Sequence, residues 1–191
     1  LKDYKNAVAD LSKAIDLNPA YAEAVLHRAN AYFELKSFQD AILDYNKVIA
    51  INPTDDRAHL SRGIAHGSLD KLKEAIQDYT NAIEINPNSI LAYTYRGAVY
   101  SKLKQYDKAL ADLNKIIELN PNLPEIYNRR GIVNFSLRRF EDAAADYSKA
   151  IEYNPNSAAL YYNRANSYYH AKKFVEAVFD FDRALQYEPD L

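Results

Sequence analysis

Residues 22–53 read AEAVLHRANAYFELKSFQDAILDYNKVIAINP, and residues 56–87 follow the same pattern as DRAHLSRGIAHGSLDKLKEAIQDYTNAIEINP. A proline closes each copy, and a constant step of 34 residues relates Pro19, Pro53, Pro87, Pro121, Pro155 and Pro189. An alanine series from Ala7 to Ala177 and an aspartate series from Asp10 to Asp180 keep the same step. This period is typical of two-helix units that bury their apolar faces by stacking on their neighbours.

A single copy predicts two helices joined by a short turn. Ala22 to about Leu35 lacks Gly and Pro, and its apolar residues recur at helical spacing. A polar turn at Lys36-Ser37 precedes a second helix over about 38–51, which ends at Asn52-Pro53 because proline cannot continue the hydrogen-bond ladder. The sequence therefore predicts an all-α solenoid of antiparallel helix pairs.

The repeated residues resemble the tetratricopeptide repeat (TPR) family, whose pattern includes Ala-x3-aromatic followed by a closing proline. Four copies keep that element: Ala41-Tyr45, Ala75-Tyr79, Ala143-Tyr147 and Ala177-Phe181. Small residues occupy the glycine position of the family: Ala29, Gly63, Gly97, Gly131 and Ala165. The resemblance covers the whole chain and implies a right-handed superhelical TPR array.

The period divides the chain into about five and a half repeats within one array, residues 1–191. We expect a half repeat over residues 1–21, which supplies only a second helix, and full repeats over 22–55, 56–89, 90–123, 124–157 and 158–191. Because the first helix of the half repeat is missing and no polar capping helix follows, we expect the chain to be part of a longer array.

An arginine replaces the family's leucine in every full repeat, at Arg28, Arg62, Arg96, Arg130 and Arg164. Each arginine lies at a height similar to that of the aspartate in its own repeat and of the aspartate in the repeat before it. We therefore expect a ladder of structural Arg–Asp pairs, either within repeats or between them, and we favour the pairing between repeats.

Composition and motifs argue against several functions. The formal net charge is −2, whereas a nucleic-acid-binding domain is expected to be strongly basic, and no apolar run approaches the roughly 20 residues of a membrane span. No catalytic constellation or cofactor motif is evident, so we expect neither an enzyme nor a cofactor. His59 and His66 occupy aromatic core positions, and we interpret them as packing residues instead of metal ligands. We expect a cytoplasmic location.

In TPR proteins the first helices line the concave surface, so the resemblance implies a groove that binds a protein or peptide. The groove positions that we expect to contact a partner are Leu26, Asn30, Phe33, Leu60, Ile64, Thr94, Ala98, Asn128, Ile132, Phe135, Tyr162, Asn166 and Tyr169. Apolar and aromatic groups with scattered amides favour an amphipathic helix or an extended peptide as the ligand.

The primary hypothesis is a protein-interaction scaffold. The alternatives are a substrate-selecting or regulatory arm of a larger enzyme and a self-assembling adaptor. For the last of these, the apolar residues of the two end helices predict end-to-end association.

Overall fold

The structure, a computed structural model, describes residues 3–190 and contains eleven α-helices and no strand within that range. The chain divides into two compact units, Leu1–Val99 and Tyr100–Leu191, and the boundary falls inside α6. Unit 1 contains α1 (Tyr4–Leu17), α2 (Ala22–Glu34), α3 (Phe38–Ile51), α4 (Asp56–Ser68), α5 (Leu72–Ile85) and most of α6 (Ile90–Lys102). Unit 2 contains α7 (Tyr106–Leu119), α8 (Pro124–Ser136), α9 (Phe140–Tyr153), α10 (Ala158–His170) and α11 (Phe174–Tyr187).

Within each unit the helices form the predicted tandem pairs, α2 with α3, α4 with α5, α8 with α9 and α10 with α11. The all-α TPR solenoid fold is confirmed. The even-numbered helices are the first helices of repeats, and the odd-numbered helices are the second helices. A close helix contact explains the small residue of the pattern. A Cβ atom added to Gly63 would lie 2.7 Å from Cε1 of Tyr79 on the paired helix α5.

A left-handed residue closes each first helix. The residues after the C-caps have φ between 56° and 62°, although none of them is glycine: Lys36, Asp70, Lys104, Arg138 and Lys172. At the first of these turns the Ser37 amide donates to the Tyr32 carbonyl and the Lys36 amide to the Phe33 carbonyl, each at 2.9 Å. These two bonds define a Schellman motif, which reverses the chain within two residues.

The Arg–Asp ladder is present, but our preference for pairing between repeats is wrong. Arg28 binds Asp44 of its own repeat through Nε at 2.7 Å and Nη2 at 2.9 Å. Arg164 binds Asp180 in the same bidentate way, at 2.6 and 2.8 Å. The same pairing within a repeat joins Arg62 to Asp78 and Arg130 to Asp146. The favoured alternative failed because height along the helices alone could not distinguish the two aspartates.

The remaining guanidinium nitrogen connects each repeat to the one before it. Nη1 of the arginine donates to an uncharged side-chain oxygen on the preceding second helix, two positions after that helix's aspartate. The acceptors are Ser12 for Arg28 at 3.0 Å, Asn46 for Arg62 at 2.7 Å, Thr80 for Arg96 at 3.0 Å, Asn114 for Arg130 at 2.8 Å and Ser148 for Arg164 at 3.0 Å. One arginine therefore joins three helices. We call this series of contacts the arginine seam.

The bound aspartates raise the pKa of Arg28 and of Arg164, because each carboxylate accepts hydrogen bonds from the guanidinium and attracts its charge. Both arginines therefore stay charged. The side chains of Asp44 and Asp180 are almost completely buried, so their charges need compensation. Arg164 compensates Asp180, whereas Arg28 and Lys47, whose Nζ lies 3.0 Å from Oδ1, both compensate Asp44.

Replacing Lys36 by Gly is expected to increase the free energy of unfolding by about 0.5–1 kcal/mol, because glycine adopts positive φ without a steric penalty. Urea unfolding measures this change. Ala111→Gly, on the exposed face of α7, is the reference and should cost about 1 kcal/mol. If Lys36→Gly destabilises the protein as much as Ala111→Gly, the left-handed turn is not strained in the way described.

Replacing Arg130 by Ala is expected to lower the free energy of unfolding by about 3–5 kcal/mol, because the Asp146 side chain is only 4% exposed and loses its compensating charge. The neutral Asn134 amide, 2.9 Å from Oδ2, still donates to the carboxylate. Arg139→Ala is the matched control. Its partner Asp107 lies 3.3 Å away with a side chain that is 81% exposed, and a surface pair contributes about 0–1 kcal/mol. Thermal or urea unfolding of both variants measures the difference. Equally small decreases in the free energy of unfolding for both variants would show that the seam contributes no more than ordinary surface ion pairs do.

Candidate functional site

In unit 1 the first helices α2 and α4 border a hollow of about 260 Å³. Helix α2 contributes Asn30, Phe33 and Glu34, and α4 contributes Ser61 and Ile64. Residues three or four positions apart on one helix lie on the same face, which is why each helix supplies neighbouring lining residues. The hollow is lined by an aromatic ring, an aliphatic side chain and several polar groups, a combination common in ligand-binding sites.

Tyr45 of the second helix α3 also lines this hollow. Its hydroxyl donates to Oδ1 of Asn30 at 2.7 Å. Burial raises the pKa of Tyr45 to about 12, so the phenol remains a neutral donor at physiological pH. The bond fixes the amide of Asn30 with its oxygen occupied, which leaves the NH2 group as the donor for a ligand.

Unit 2 contains a second hollow, of about 230 Å³, beside α8 and α10. Its lining includes Asn128 and Glu125 of α8 and Leu160 and Asn163 of α10. Oδ1 of Asn128 is buried and accepts no hydrogen bond from any residue that the structure describes. An unsatisfied buried acceptor is unfavourable, and because this oxygen is fully buried, a ligand in the hollow does not reach it without a movement of the side chain.

An aromatic group lies at the turn ends of α8 and α10. Phe135 contacts Phe140 and His170, with ring centroids 5.4 Å apart in both cases, and His170 stacks on Phe140 at 5.0 Å. Tyr169 meets His170 edge-on at 5.6 Å and remains largely exposed. This group offers ring faces and edges to apolar or cationic side chains of a partner.

The structure brings some of the expected partner-contacting residues together and leaves others apart. Asn30, Phe33 and Ile64 line one hollow, whereas Asn128 lines the hollow of unit 2. The exposed members of the expected set are Asn30, Ala98, Ile132, Tyr162 and Tyr169, and the half-buried members are Phe33, Leu60, Ile64, Thr94, Asn128, Phe135 and Asn166.

Leu26 departs from the expectation. It is only 4% exposed and belongs to a buried apolar cluster that includes Ile42 of α3 and Ala58 of α4. Apolar packing between neighbouring helices has removed this side chain from the surface, so it stabilises the fold and does not offer a contact to a partner.

Tyr45 and Ser61 are absent from the expected set, although both line the hollow of unit 1. Tyr45 was missed because its position in the repeat pattern is a core position. The chemical signal was its hydroxyl, since a buried tyrosine usually needs a hydrogen-bond partner on a neighbouring helix.

The two histidines of α4 surround the buried Asp78. Nδ1 of His66 lies 2.9 Å from Oδ2 of Asp78, and Nδ1 of His59 lies 4.0 Å from Oδ1. Nε2 of His59 lies 3.2 Å from the Pro53 carbonyl oxygen. His66 therefore supports the arginine seam in addition to packing. Within residues 3–190 no group of three or more acidic, histidine or cysteine side chains could hold a metal ion. No helix in that range is long and apolar enough to cross a bilayer.

Family models agree with the repeat pattern. Tetratricopeptide repeat models match residues 1–21, 57–89, 90–123 and 128–190, and a model described as TPR repeat matches residues 29–70. The chain belongs to the tetratricopeptide repeat family. No curated protein sequence gives a significant match.

Solved TPR structures share the fold. A structure described as YrrB, a TPR protein with an unusual peptide-binding site, superimposes with a TM-score of 0.85 at 23% identity, over 94% of this chain and 93% of that one. A structure of the MamA protein superimposes with a TM-score of 0.82 at 23% identity, over 88% of this chain and 92% of that one. A structure of MamA from Desulfovibrio magneticus RS-1 superimposes with a TM-score of 0.80 at 19% identity, over 88% of this chain and 95% of that one. At these identities the likeness shows the fold alone.

Proposed function

We propose that this TPR chain is a non-catalytic protein-interaction scaffold that binds a peptide or helical segment on the faces of its first helices. The observation that carries the proposal is the hollow of unit 1, where Phe33 and Ile64 stand beside the fixed Asn30 amide. An apolar side chain of the ligand packs between Phe33 and Ile64. Asn30 and Ser61 then hydrogen-bond to the ligand backbone.

The proposal includes a preference for charge. Glu34 lies at the same hollow, and none of the lining residues within positions 3–190 is basic. A ligand with a lysine or arginine next to its apolar anchor would therefore be favoured over one with an acidic residue there, mainly through faster association and better discrimination.

In unit 2 the proposed contact surface has a different character. Ile132 and Tyr162 are exposed, and Tyr162 meets Phe181 edge-on with ring centroids 5.7 Å apart. Together with the aromatic group around His170, these residues favour a ligand with apolar or aromatic anchors. YrrB, by its description, has a peptide-binding site, which makes peptide binding a reasonable expectation for a chain of the same fold.

Self-association through the ends is the second candidate. Helix α1 contains no buried residue, and α11 exposes Val175, Val178 and Phe179. Exposed apolar surfaces of this kind support association. Light scattering that shows a strict monomer at millimolar concentration would contradict this candidate without affecting the proposed peptide site.

The peptide site can be tested with random dodecapeptides displayed on phage and selected against the chain. Selected peptides should contain an apolar anchor, and Ile64→Ser should weaken their binding at least tenfold, because the substitution removes one wall of the hollow. Leu43→Ser is the matched control, since Leu43 is exposed on the second helix α3 and does not line the hollow. Fluorescence anisotropy measures both affinities. Peptides that bind both variants equally well would contradict the proposed site.

A further inference from the structure

Gly67 leaves an open space on the first-helix face of α4. A Cβ atom added there would lie 3.5 Å from the hydroxyl oxygen of Tyr79, an ordinary contact, and no other described residue outside α4 comes within 4 Å of it. Neither close packing nor a positive φ therefore requires glycine here, although glycine is unfavourable inside a helix. The equivalent position carries a phenyl ring in α2 and α8, at Phe33 and Phe135. We call this space the Gly67 notch.

The hydroxyl of Tyr79, which borders the notch, has no hydrogen-bond partner among residues 3–190. Tyr79 is only 2% exposed, and burial raises its pKa, so the phenol remains a neutral donor. A buried tyrosine usually finds a partner for its hydroxyl. Tyr45, at the equivalent position, donates to Asn30 at 2.7 Å, but Ile64 replaces that asparagine beside Tyr79. The chain therefore presents a donor at the notch without supplying its acceptor.

The preceding repeat indicates which kind of acceptor fits this donor. There the side-chain amide oxygen of Asn30 accepts the bond from the tyrosine. A carboxylate would accept a stronger bond. However, Glu34 lines the hollow that Ile64 borders, three residues before Gly67 on the same face of α4. A second negative charge beside Glu34 is unfavourable, so a neutral amide oxygen suits the notch better.

We propose that the Gly67 notch binds an asparagine or glutamine side chain of the peptide ligand, whose amide oxygen accepts a hydrogen bond from the Tyr79 hydroxyl. This inference rests on the proposed function, because the notch lies on the face of α4 that also presents Ile64 to the hollow of unit 1. The ligand side chain occupies the space that Phe33 and Phe135 fill in other repeats. The notch adds specificity, because a ligand without the acceptor leaves the hydroxyl unpaired.

Urea unfolding of the 191-residue chain without ligand tests whether the Tyr79 hydroxyl is unpaired. Tyr79→Phe should leave the urea midpoint unchanged, because it removes a hydroxyl that bonds to nothing in the protein. Tyr45→Phe is the matched control and should lower the midpoint, since it removes the bond to Asn30. A decrease for Tyr79→Phe as large as that for Tyr45→Phe would overturn the proposal, because the hydroxyl would then already have a partner.

Binding is tested with the phage-selected dodecapeptides whose affinity falls with Ile64→Ser, again by fluorescence anisotropy. Tyr79→Phe should weaken their binding about fivefold, the effect of one hydrogen bond between neutral groups. Gly67→Phe should weaken it at least as much, because the ring fills the notch while phenylalanine favours the helix more than glycine does. Tyr147→Phe is the matched control and should have no effect, since Tyr147 is equally buried but Phe135 stands in place of a notch.

Changes in the peptide identify the acceptor. Replacing its asparagine or glutamine by alanine should weaken binding to the unmodified chain about fivefold and should not weaken binding to Tyr79→Phe any further. An effect of Tyr79→Phe that couples to an acidic residue of the peptide, or to no side chain, would overturn the proposal. Peptides that respond to Ile64→Ser but not to Tyr79→Phe would overturn it and leave the proposed function standing. Peptides that do not respond to Ile64→Ser would contradict both.

Discussion

The contact on which the structure depends most is the buried hydrogen-bonded pair between an arginine of each first helix and an aspartate of the paired second helix. Burying two charges is costly, and the cost is offset only when the geometry satisfies both groups. Here Nε and Nη2 of Arg28 bind the two oxygens of Asp44, and Nη1 reaches Ser12 on the preceding helix. Because one planar group makes all three bonds, it fixes the paired helix and the preceding helix together.

This constraint also explains the position of the candidate binding surface. The arginine and the small residue after it face the interior of the repeat, where Gly63 meets the ring of Tyr79. Asn30 follows Arg28 by two positions and therefore lies on about the opposite side of the helix, and Phe33, three positions further on, shares the face of Asn30. Both are then left on the free side of the first helix. A repeat protein can change these free positions without disturbing the seam, which is why unit 1 offers a mixed polar and apolar hollow and unit 2 an aromatic surface.

Much of the fold could be predicted from the sequence. The 34-residue step, the closing prolines and the apolar spacing predicted two helices per repeat, and the second helix over 38–51 agrees with α3 at both ends. The existence of an Arg–Asp ladder could also be predicted. Its connectivity could not, because two aspartates lie at similar heights and only side-chain reach distinguishes them. The left-handed turns were likewise unexpected, because Lys36 and Arg138 carry none of the glycine signal that usually marks such a turn.

The candidate site was less predictable than the fold. Family positions led to Asn30, Phe33 and Ile64, which do share one hollow, but also to Leu26, which packs in the core. Position in a repeat indicates which way a side chain points, whereas burial depends on the sizes of neighbouring side chains. Tyr45 illustrates the converse, because a residue read as core reaches the binding face through its hydroxyl.

The most direct test of the seam as the connection between repeats is native-state hydrogen exchange of Arg164→Lys. Arg164 binds Asp180 of α11 and Ser148 of α9, and lysine cannot maintain both contacts. The account predicts faster amide exchange in both α9 and α11, including the helix of the preceding repeat. Loss of protection confined to α10 and α11, with α9 unchanged, would contradict it.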